Sequence, residues 1–367
     1  MMNPSRQLAL FGLASIALLG QSSPKPAPSQ SLSELRVAAE RGDSSAQYEL
    51  GGDYLLGKGV APDSAKAVSW LHKAADQGNA NAQCVLGMMY YEGNDISKDY
   101  AEAARWLRKA AEQGIAAAQF NLGKLYFSGK GVREDFAEAA KWLRKAADQG
   151  DATAQLSLAT MYYQGQGVTQ DYVEAIALTR KAADRGGAAA QYLLGSYYLT
   201  GDGIVQDYGE ALRWFHKAAD QGNPSAQLSL GAMYSNGHGV TQDYTEAARW
   251  YRKAADQGEV AAQFKLGTIY YYGQGMMLNY AESAVWYRKA ADQGEAQAQA
   301  ILGAMYELGQ GVAQDYVCAH MWYNLAAARA HGAEQGNYAK ARDNVAQKMT
   351  SAQIAEAQRL AREWKPK

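Results

Sequence analysis

The six-residue sequence KAADQG at residues 73–78 returns six more times, unchanged or with one substitution. Each copy begins 36 residues after the previous one, at positions 109, 145, 181, 217, 253 and 289. A catalytic loop is needed once in a chain, whereas a structural unit is repeated so that neighbouring units can stack. The spacing therefore predicts a tandem repeat with the hexapeptide at the same point of every unit.

Eight units of 36 residues follow one another without a gap when Asp43 is taken as position 1. All eight have Ala at position 4, Gln at position 5, Leu at position 8, Tyr at position 12 and Gly at position 15. Position 28 is Trp in seven units, and Leu178 is the exception. The units are residues 43–78, 79–114, 115–150, 151–186, 187–222, 223–258, 259–294 and 295–330.

The first half of each unit has the spacing of an α-helix. In the fourth unit, Ala154, Leu158 and Tyr162 recur every four residues and so share one helical face. Position 9 is Gly in seven units, and a glycine inside a helix costs about 1 kcal/mol relative to alanine. We therefore expect a neighbouring backbone to approach closely at position 9. The GQGV sequence at 165–168 then ends the helix and forms a tight connector.

The second half begins with a recurring Asp-x-x-Glu pair, such as Asp243 and Glu246, which predicts an N-terminal capping box. A second apolar face follows at helical spacing and includes Trp250 and Ala254. KAADQG is then the last turn of this helix. Its Lys lies near the negative end of the helix dipole, its Ala pair allows close packing, and its Gly takes a left-handed conformation. Each unit is predicted to be a helical hairpin.

The flanking segments resemble parts of the repeat. Residues 35–42, LRVAAERG, match the last eight positions, so residues 32–42 are predicted to form an N-terminal capping half-repeat. Residues 331–367 are predicted to form C-terminal capping helices. Thr350 and Gln353 have the spacing of a capping box there, flanked by a hydrophobic staple of Met349 and Ile354. Capping elements keep the ends of a stack of repeats soluble.

The N-terminus has the pattern of an export signal. Arg6 precedes an apolar run at residues 8–20, and small residues follow it. We expect residues 1–22 to be a cleaved signal peptide and residues 23–31 a disordered Pro/Ser linker, which would make the protein periplasmic or secreted from a bacterium. A membrane anchor is the alternative, but a span needs roughly 20 apolar residues and this run is shorter.

Charge and cysteine content restrict the function further. The formal net charge is −1, so the basic excess typical of nucleic-acid binding is missing and no such partner is expected. Cys84 and Cys318 lie six repeats apart, and in a linear stack each repeat contacts only its neighbours. Both are therefore predicted to be free thiols.

The repeat resembles the Sel-one-like repeat (SLR) family, a branch of the tetratricopeptide superfamily. The shared pattern is A-x-A-Q-x-x-L-G-x-x-Y-x-x-G-x-G-V-x-x-D-Y-x-E-A-x-x-W-x-x-K-A-A-x-x-G, and it covers residues 43–330. The resemblance implies an all-α, right-handed solenoid of eight hairpins that binds proteins or peptides, as exported bacterial adaptors and envelope scaffolds do. A cysteine-rich branch linked to penicillin binding has a disulfide in each repeat, and this chain lacks those cysteine pairs.

The sequence contains no pattern that favours catalysis. The five histidines, His72, His216, His238, His320 and His331, form no metal-ligand or catalytic spacing and are interpreted as surface residues. The G-x-G connectors lack the Lys-Ser/Thr of a phosphate-binding loop. The Ser-x-x-Lys at residues 22–25 lies in the predicted export segment, and Lys-Thr-Gly does not occur. No catalytic residue, cofactor or metal is expected.

Alignment with the tetratricopeptide pattern places positions 3, 6, 7, 10, 13 and 14 of the first helix on the concave side. Position 13 is often aromatic and position 10 small or polar, which suits an extended peptide or a helix, since tyrosine combines apolar area with a hydroxyl group. The alternative is that position 13 only packs between repeats. The predicted groove residues are Met88, Tyr91, Lys124, Phe127, Thr160, Tyr163, Ser196, Leu199 and Tyr271.

The sequence thus predicts an exported, monomeric scaffold that binds a protein or peptide and keeps no membrane span after cleavage of the signal. Two other classes stay open. One is a hydrolase of cell-wall or β-lactam substrates, and the other is a purely structural envelope protein.

Overall fold

The computed structural model describes residues 31–93 and 96–366, which form nineteen α-helices and no strand. The predicted signal peptide and all but the last residue of the predicted linker lie outside these residues. Contacts group the chain into two compact units, Met1–Arg185 and Gly186–Lys367. None of the described helices is both long enough and apolar enough to cross a lipid bilayer.

The first unit contains α1 and four helical hairpins. In each hairpin the first helix is called the A helix and the second the B helix. The helices are α1 (Leu32–Glu40), α2 (Ser44–Leu56), α3 (Ser64–Asp76), α4 (Ala80–Glu92), α5 (Tyr100–Glu112), α6 (Ala116–Ser128), α7 (Phe136–Asp148), α8 (Ala152–Gln164) and α9 (Tyr172–Asp184).

The second unit contains four further hairpins and two C-terminal helices. The helices are α10 (Ala188–Thr200), α11 (Tyr208–Asp220), α12 (Pro224–Asn236), α13 (Tyr244–Asp256), α14 (Val260–Tyr272), α15 (Tyr280–Asp292), α16 (Ala296–Leu308), α17 (Tyr316–Arg329), α18 (Gly332–Ala346) and α19 (Ser351–Glu363). The described chain is therefore an all-α repeat solenoid, as its sequence predicts.

The hairpin ends follow the glycine pattern of the sequence. Gly165 has φ 70° and ends α8, and Gly167 has φ 68° in the connector that follows. Gly150, the last residue of one KAADQG copy, has φ 90° one residue beyond the C-cap of α7. These conformations are in the left-handed region, which glycine adopts without steric cost. The predicted role of the hexapeptide as a helix end is confirmed.

The predicted Asp-x-x-Glu capping box forms only in part. Asp99 accepts the backbone N–H of Glu102 at 3.1 Å, as expected for an N-cap. The backbone N–H of Asp99, however, donates to the carbonyl of Tyr90 at 3.0 Å and so is already bonded. Glu102 therefore does not cap; its carboxylate pairs with Arg105 at 2.6 Å. By contrast, Thr350 and Gln353 form the full capping box predicted for the C-terminal region.

The position-9 glycine makes room for a side chain of its own hairpin. A Cβ added to Gly87 would lie 2.6 Å from Cγ of Leu107, and one added to Gly231 would lie 2.5 Å from the Tyr251 ring. In the first three repeats the expected close backbone is present, since such a Cβ would lie 3.1–3.3 Å from a backbone atom of the B helix, but the nearest atoms belong to the position-29 side chain. In the fourth repeat the same two positions are Ala159 and Thr179, so a larger residue on the A helix stands opposite a smaller one on the B helix.

Within each unit, buried glutamines connect a hairpin to the one before it. Gln83, at position 5, donates to the carbonyl of Ala75 at 2.9 Å, and Gln113 donates to its Oε1 at 2.8 Å. Gln113 also donates to the carbonyl of Gly78 at 3.0 Å. Because buried polar groups are costly when unpaired, this network explains why position 5 does not vary. The sequence reasoning assigned no role to this glutamine.

The hexapeptide lysine has a second role besides its place near the helix dipole. Lys73 lies 4.0 Å from the ring centroid of Trp70, and Lys253 lies 3.8 Å from that of Trp250, which is cation–π geometry. Within a unit the tryptophans also pack on the preceding hairpin, as Trp106 does against His72, with ring centroids 5.7 Å apart. Trp364, just beyond α19, contacts the Trp322 ring edge to face at 6.3 Å and so continues this series.

Both cysteines are free thiols, as predicted. Cys84 is fully buried, and burial raises the pKa of its thiol to about 12. Cys318 is partly buried on α17.

Candidate functional site

In the first unit, four of the predicted groove residues line one pocket of about 340 Å³, here called the groove pocket. They are Tyr91 on α4, Lys124 and Phe127 on α6, and Thr160 on α8. The sequence predicted that these residues lie in a row along the concave side, and the structure places all four around one concavity. The rest of the lining consists of Ser128, Lys130, Leu143, Ser157 and Met161.

The remaining two predicted residues of this unit lie outside the lining. Met88 is half-buried and packs against the core cluster that contains Leu122. Tyr163 is half-buried, and its ring contacts Tyr172 edge to face at 5.1 Å between centroids.

The position-13 rings are held by aromatic contacts inside their own hairpins. Tyr91 meets Tyr100 at 5.5 Å and Phe127 meets Phe136 at 5.2 Å, both edge to face, at the start of the following B helix. Both rings of each pair belong to one hairpin, so the alternative that position 13 only packs between repeats does not describe these contacts. Phe127 keeps 40% of its surface exposed, so the contact orients the ring while leaving it accessible. Orientation by a partner ring lowers the entropy lost on binding.

The charge of the groove pocket is positive. Nζ of Lys124 lies 5.1 Å from the ring centroid of Tyr91 and 5.5 Å from that of Phe120. Nζ of Lys130 lies 5.4 Å from the Tyr100 ring. No carboxylate lines the pocket, and within the described ranges neither lysine forms an ion pair.

In the second unit the predicted residues contact other side chains and backbone groups of the protein. Ser196 and Leu199 are half-buried on α10, and the Ser196 hydroxyl donates to the carbonyl of Tyr192 at 3.0 Å. Tyr271 on α14 donates its hydroxyl to Gln310 at 3.2 Å and contacts the Tyr280 ring at 5.1 Å. Burial raises the pKa of Tyr271.

A second concavity of about 350 Å³ lies near the C-terminal end and was not predicted. It is formed by α16, by Tyr323 of α17 and by Tyr338 of α18. The groove-side positions 3, 6, 7 and 10 supply Gln297, Ala300, Ile301 and Ala304. The repeat register could have indicated these four residues, whereas nothing in the sequence placed Tyr338 there.

Sequence reasoning also missed half of the groove-pocket lining. Ser128 and Ser157 occupy positions 14 and 7, which belong to the groove set, so the register contained a signal for them. Lys130 lies in the connector, and Leu143 and Met161 belong to packing positions. No pattern in the sequence indicated that these three line the pocket.

Three histidines differ from the surface interpretation. His72 and His216 are half-buried, and Nε2 of each shares a hydrogen bond with a position-12 tyrosine hydroxyl, at 3.2 Å to Tyr90 and 3.4 Å to Tyr234. Arginines bond the same tyrosine in other repeats, as Arg108 does with Tyr126 at 2.8 Å.

His320 on α17 is only 3% exposed, and its Nδ1 has no hydrogen-bond partner among the described residues. Burial and the nearby charge of Arg342 lower the pKa of His320, while Asp343 opposes the shift. His320 occupies position 26, where Ala248 and Ala284 stand in other repeats, so comparison of the repeats contained a signal for its burial. Within the ranges that the structure covers, no three His, Cys, Asp or Glu side chains cluster as metal ligands.

The protein consists of helical hairpins that stack through buried glutamines and carry an aromatic row on their A helices. This arrangement defines a tetratricopeptide-like repeat solenoid. The Sel1 repeat model matches eight consecutive segments of the chain, which therefore belongs to the Sel1 repeat family. Repeats of this family generally form non-catalytic scaffolds for protein interaction. The matched segments are residues 44–79, 80–115, 116–151, 152–187, 188–223, 224–259, 260–295 and 296–331.

The chain is also similar to solved structures. A Sel1 repeat protein from Oxalobacter formigenes is 33% identical, with 85% of this chain and 90% of that chain covered and a TM-score of 0.68. The c5321 protective antigen of uropathogenic Escherichia coli strains, which displays an SLR fold, is 34% identical over 90% of this chain and 85% of its own, with a TM-score of 0.41. The comparison with curated proteins found no match.

Proposed function

We propose that this protein is an exported scaffold that binds a protein partner, with the groove pocket of the first unit as the contact site. The observation that carries the proposal is the pocket itself, where two rings, Tyr91 and Phe127, flank an unpaired cation, Lys124. Aromatic anchors beside a charged group are typical of the residues that dominate binding energy at protein interfaces.

Export is supported by the sequence of the N-terminus, where Arg6 precedes the apolar run at residues 8–20. A periplasmic or secreted protein would lose residues 1–22 and begin near Ser23. Mass spectrometry of the protein isolated from its native cells measures this directly. A cytoplasmic pool with an intact Met1 or Met2 terminus would contradict export.

Scaffolding is favoured over hydrolysis because the groove pocket is lined by rings, aliphatic side chains, hydroxyls and lysines, without a carboxylate or histidine for acid–base chemistry. A scaffold is also favoured over a purely structural role, because the Phe127 ring is oriented and yet accessible. A turnover assay on β-lactam and cell-wall substrates tests the hydrolase alternative, and steady product formation would support it.

Site-specific photo-crosslinking in living cells tests the scaffold proposal. A photoreactive phenylalanine analogue is placed at Phe127 and, as a matched control, at Val173, which is 73% exposed at the start of α9. We expect a discrete crosslinked species from position 127 alone. The partner identified in this species should then bind the purified protein, and Tyr91→Ala with Phe127→Ala should weaken that binding. Equal crosslinking at both positions would contradict a specific groove contact.

A further inference from the structure

The lysine at position 10 of the third repeat has no structural counterpart in the other repeats. The side chain of Lys124 is half-buried over the rings of Tyr91 and Phe120, and the part of the chain that the structure describes offers it no carboxylate. The other repeats fold with uncharged residues at this position. These residues are Gly52, Met88, Thr160, Ser196, Ala232, Thr268 and Ala304. A charge at this place is therefore not required by the packing of the hairpin.

Other lysines of the protein have an opposite charge or a helix C-terminus close to the ammonium group. Lys141 pairs with Glu138 at 2.8 Å, and Lys348 pairs with Glu307 at 2.8 Å. The hexapeptide lysines lie over tryptophan at the negative end of a helix dipole. Lys124 stands just before the last turn of α6, over tyrosine and phenylalanine rings, and forms no ion pair among the described residues. Partial burial without an opposite charge leaves its ammonium group available to an incoming anion.

Two hydroxyls of the groove pocket do not compete for that role. The Thr160 hydroxyl donates to the carbonyl of Leu156 at 3.0 Å, and the Ser128 hydroxyl donates to the carbonyl of Lys124 at 2.9 Å. Their protons are used inside the helices, so these two groups can only accept further hydrogen bonds. The ammonium groups of Lys124 and Lys130 are the charged donors of the lining, and the hydroxyls of Tyr91 and Ser157 are neutral ones.

The remaining surface of the groove pocket selects an apolar neighbour for that carboxylate. The Tyr91 and Phe127 rings and the Leu143 and Met161 side chains all belong to the lining. A volume of about 340 Å³ is at the small end of the range of roughly 300–1,000 Å³ for ligand pockets. It can take a few side chains of a short segment.

We propose that the groove pocket binds an acidic side chain next to an aliphatic or aromatic one, both from an extended peptide segment of a protein partner. The carboxylate lies at Lys124, and the apolar side chain lies against Tyr91 and Phe127. The proposal rests on the peptide-binding function proposed above and specifies the chemistry of its ligand.

Selection from a displayed library of random short peptides tests this specificity before the partner itself has been identified. The full chain is the bait, together with Lys124→Glu and with Lys340→Glu, a control with the same change in net charge at an exposed position of α18. We expect peptides enriched on the wild-type protein and on Lys340→Glu to carry Asp or Glu beside Leu, Ile or Phe. On Lys124→Glu the acidic preference should disappear.

Binding of one enriched peptide, measured by fluorescence anisotropy, gives the size of the effect. We expect Lys124→Glu to weaken it by at least about tenfold, as for an interface hot spot, and Lys340→Glu to change it little. Lys124→Met, which keeps an apolar stem over the rings, should also weaken binding. Circular dichroism and melting curves of each variant verify that the hairpins remain folded.

The possible failures of the two proposals can be told apart. If peptides are enriched and require Tyr91 and Phe127 but show no acidic preference, the acidic specificity is wrong while the groove function stands. If enriched peptides bind Lys124→Glu as tightly as the wild type, the role of Lys124 is wrong. If the full chain enriches no peptide, both proposals are overturned.

Discussion

The complementarity between positions 9 and 29 can be tested in the one repeat that departs from it. In the first three repeats, Gly at position 9 faces Leu at position 29, and a Cβ added to the glycine would lie 2.6–2.9 Å from the leucine Cγ. The fourth repeat has Ala159 and Thr179 at these positions. Thr179→Leu should therefore force a leucine against the existing Ala159 methyl group, and overpacking of this kind costs about 1–3 kcal/mol.

The matched change removes the conflict. Ala159→Gly alone should cost about 1 kcal/mol or more, because glycine is a poor helix former and a buried methyl group is lost. In the double variant the repeat acquires the Gly/Leu pair of the first three repeats, so the two costs should not add. We expect a favourable coupling free energy of about 1–2 kcal/mol in the double-mutant cycle.

Urea unfolding monitored by circular dichroism supplies the four free energies of the cycle. Solenoid repeats contribute local and nearest-neighbour terms, so hydrogen exchange should show the single-variant losses first around α8 and α9. Additive free energies within about 0.3 kcal/mol would mean that the two positions do not contact each other as described.

Four further substitutions test other parts of the structure. Tyr162→Ala should cost about 2–3 kcal/mol of stability, because this half-buried ring packs on the core and its hydroxyl bonds to an arginine of a B helix. Tyr163→Ala should cost under about 1 kcal/mol, and equal losses of stability would contradict the different environments. Arg185→Gln should stabilise the protein by about 0.5–1.5 kcal/mol, since Gln155 Oε1 is buried without a donor among the described residues, whereas in the third repeat Gln149 donates to the corresponding Gln119 Oε1. An unchanged melting temperature would refute this. Because the pKa of His320 is lowered in the folded protein, the unfolded chain binds a proton at this residue more readily as the pH falls. The stability that neutral His320 contributes should therefore be fully present above pH 6.5, the ordinary pKa of histidine. It should decrease as the pH falls from 6.5 towards the pKa of the folded state. His320→Leu should flatten this part of the pH profile, and an unchanged slope would show that another group is responsible.

The repeat made most of the hairpin architecture predictable from the sequence. Gly165 and Gly150 indicated helix ends because a left-handed turn needs glycine, and eight copies removed the ambiguity of a single motif. The partners of polar side chains were less accessible. Gln83 is bonded by Gln113, which is 30 residues away, and periodicity alone does not show which two atoms meet across a hairpin.

The candidate site was predictable only in part. The tetratricopeptide register brought Tyr91, Lys124 and Phe127 to one face because helical periodicity fixes which residues share a side. Lys130 enters the pocket from a connector whose path depends on two successive left-handed glycines, and Leu143 enters from the neighbouring B helix. These contributions depend on tertiary packing, which the register of one helix does not encode.

Hydrogen exchange of the protein, with and without the partner identified by crosslinking at Phe127, tests the central claim most directly. Exchange reports local opening, so a bound segment should protect the backbone beneath it. If the partner occupies the groove pocket, protection should appear in the C-terminal halves of α4 and α6 and in α8, and Lys124→Glu should reduce it. Protection confined to the B helices α5 and α7, or protection unchanged by Lys124→Glu, would contradict binding in the groove pocket.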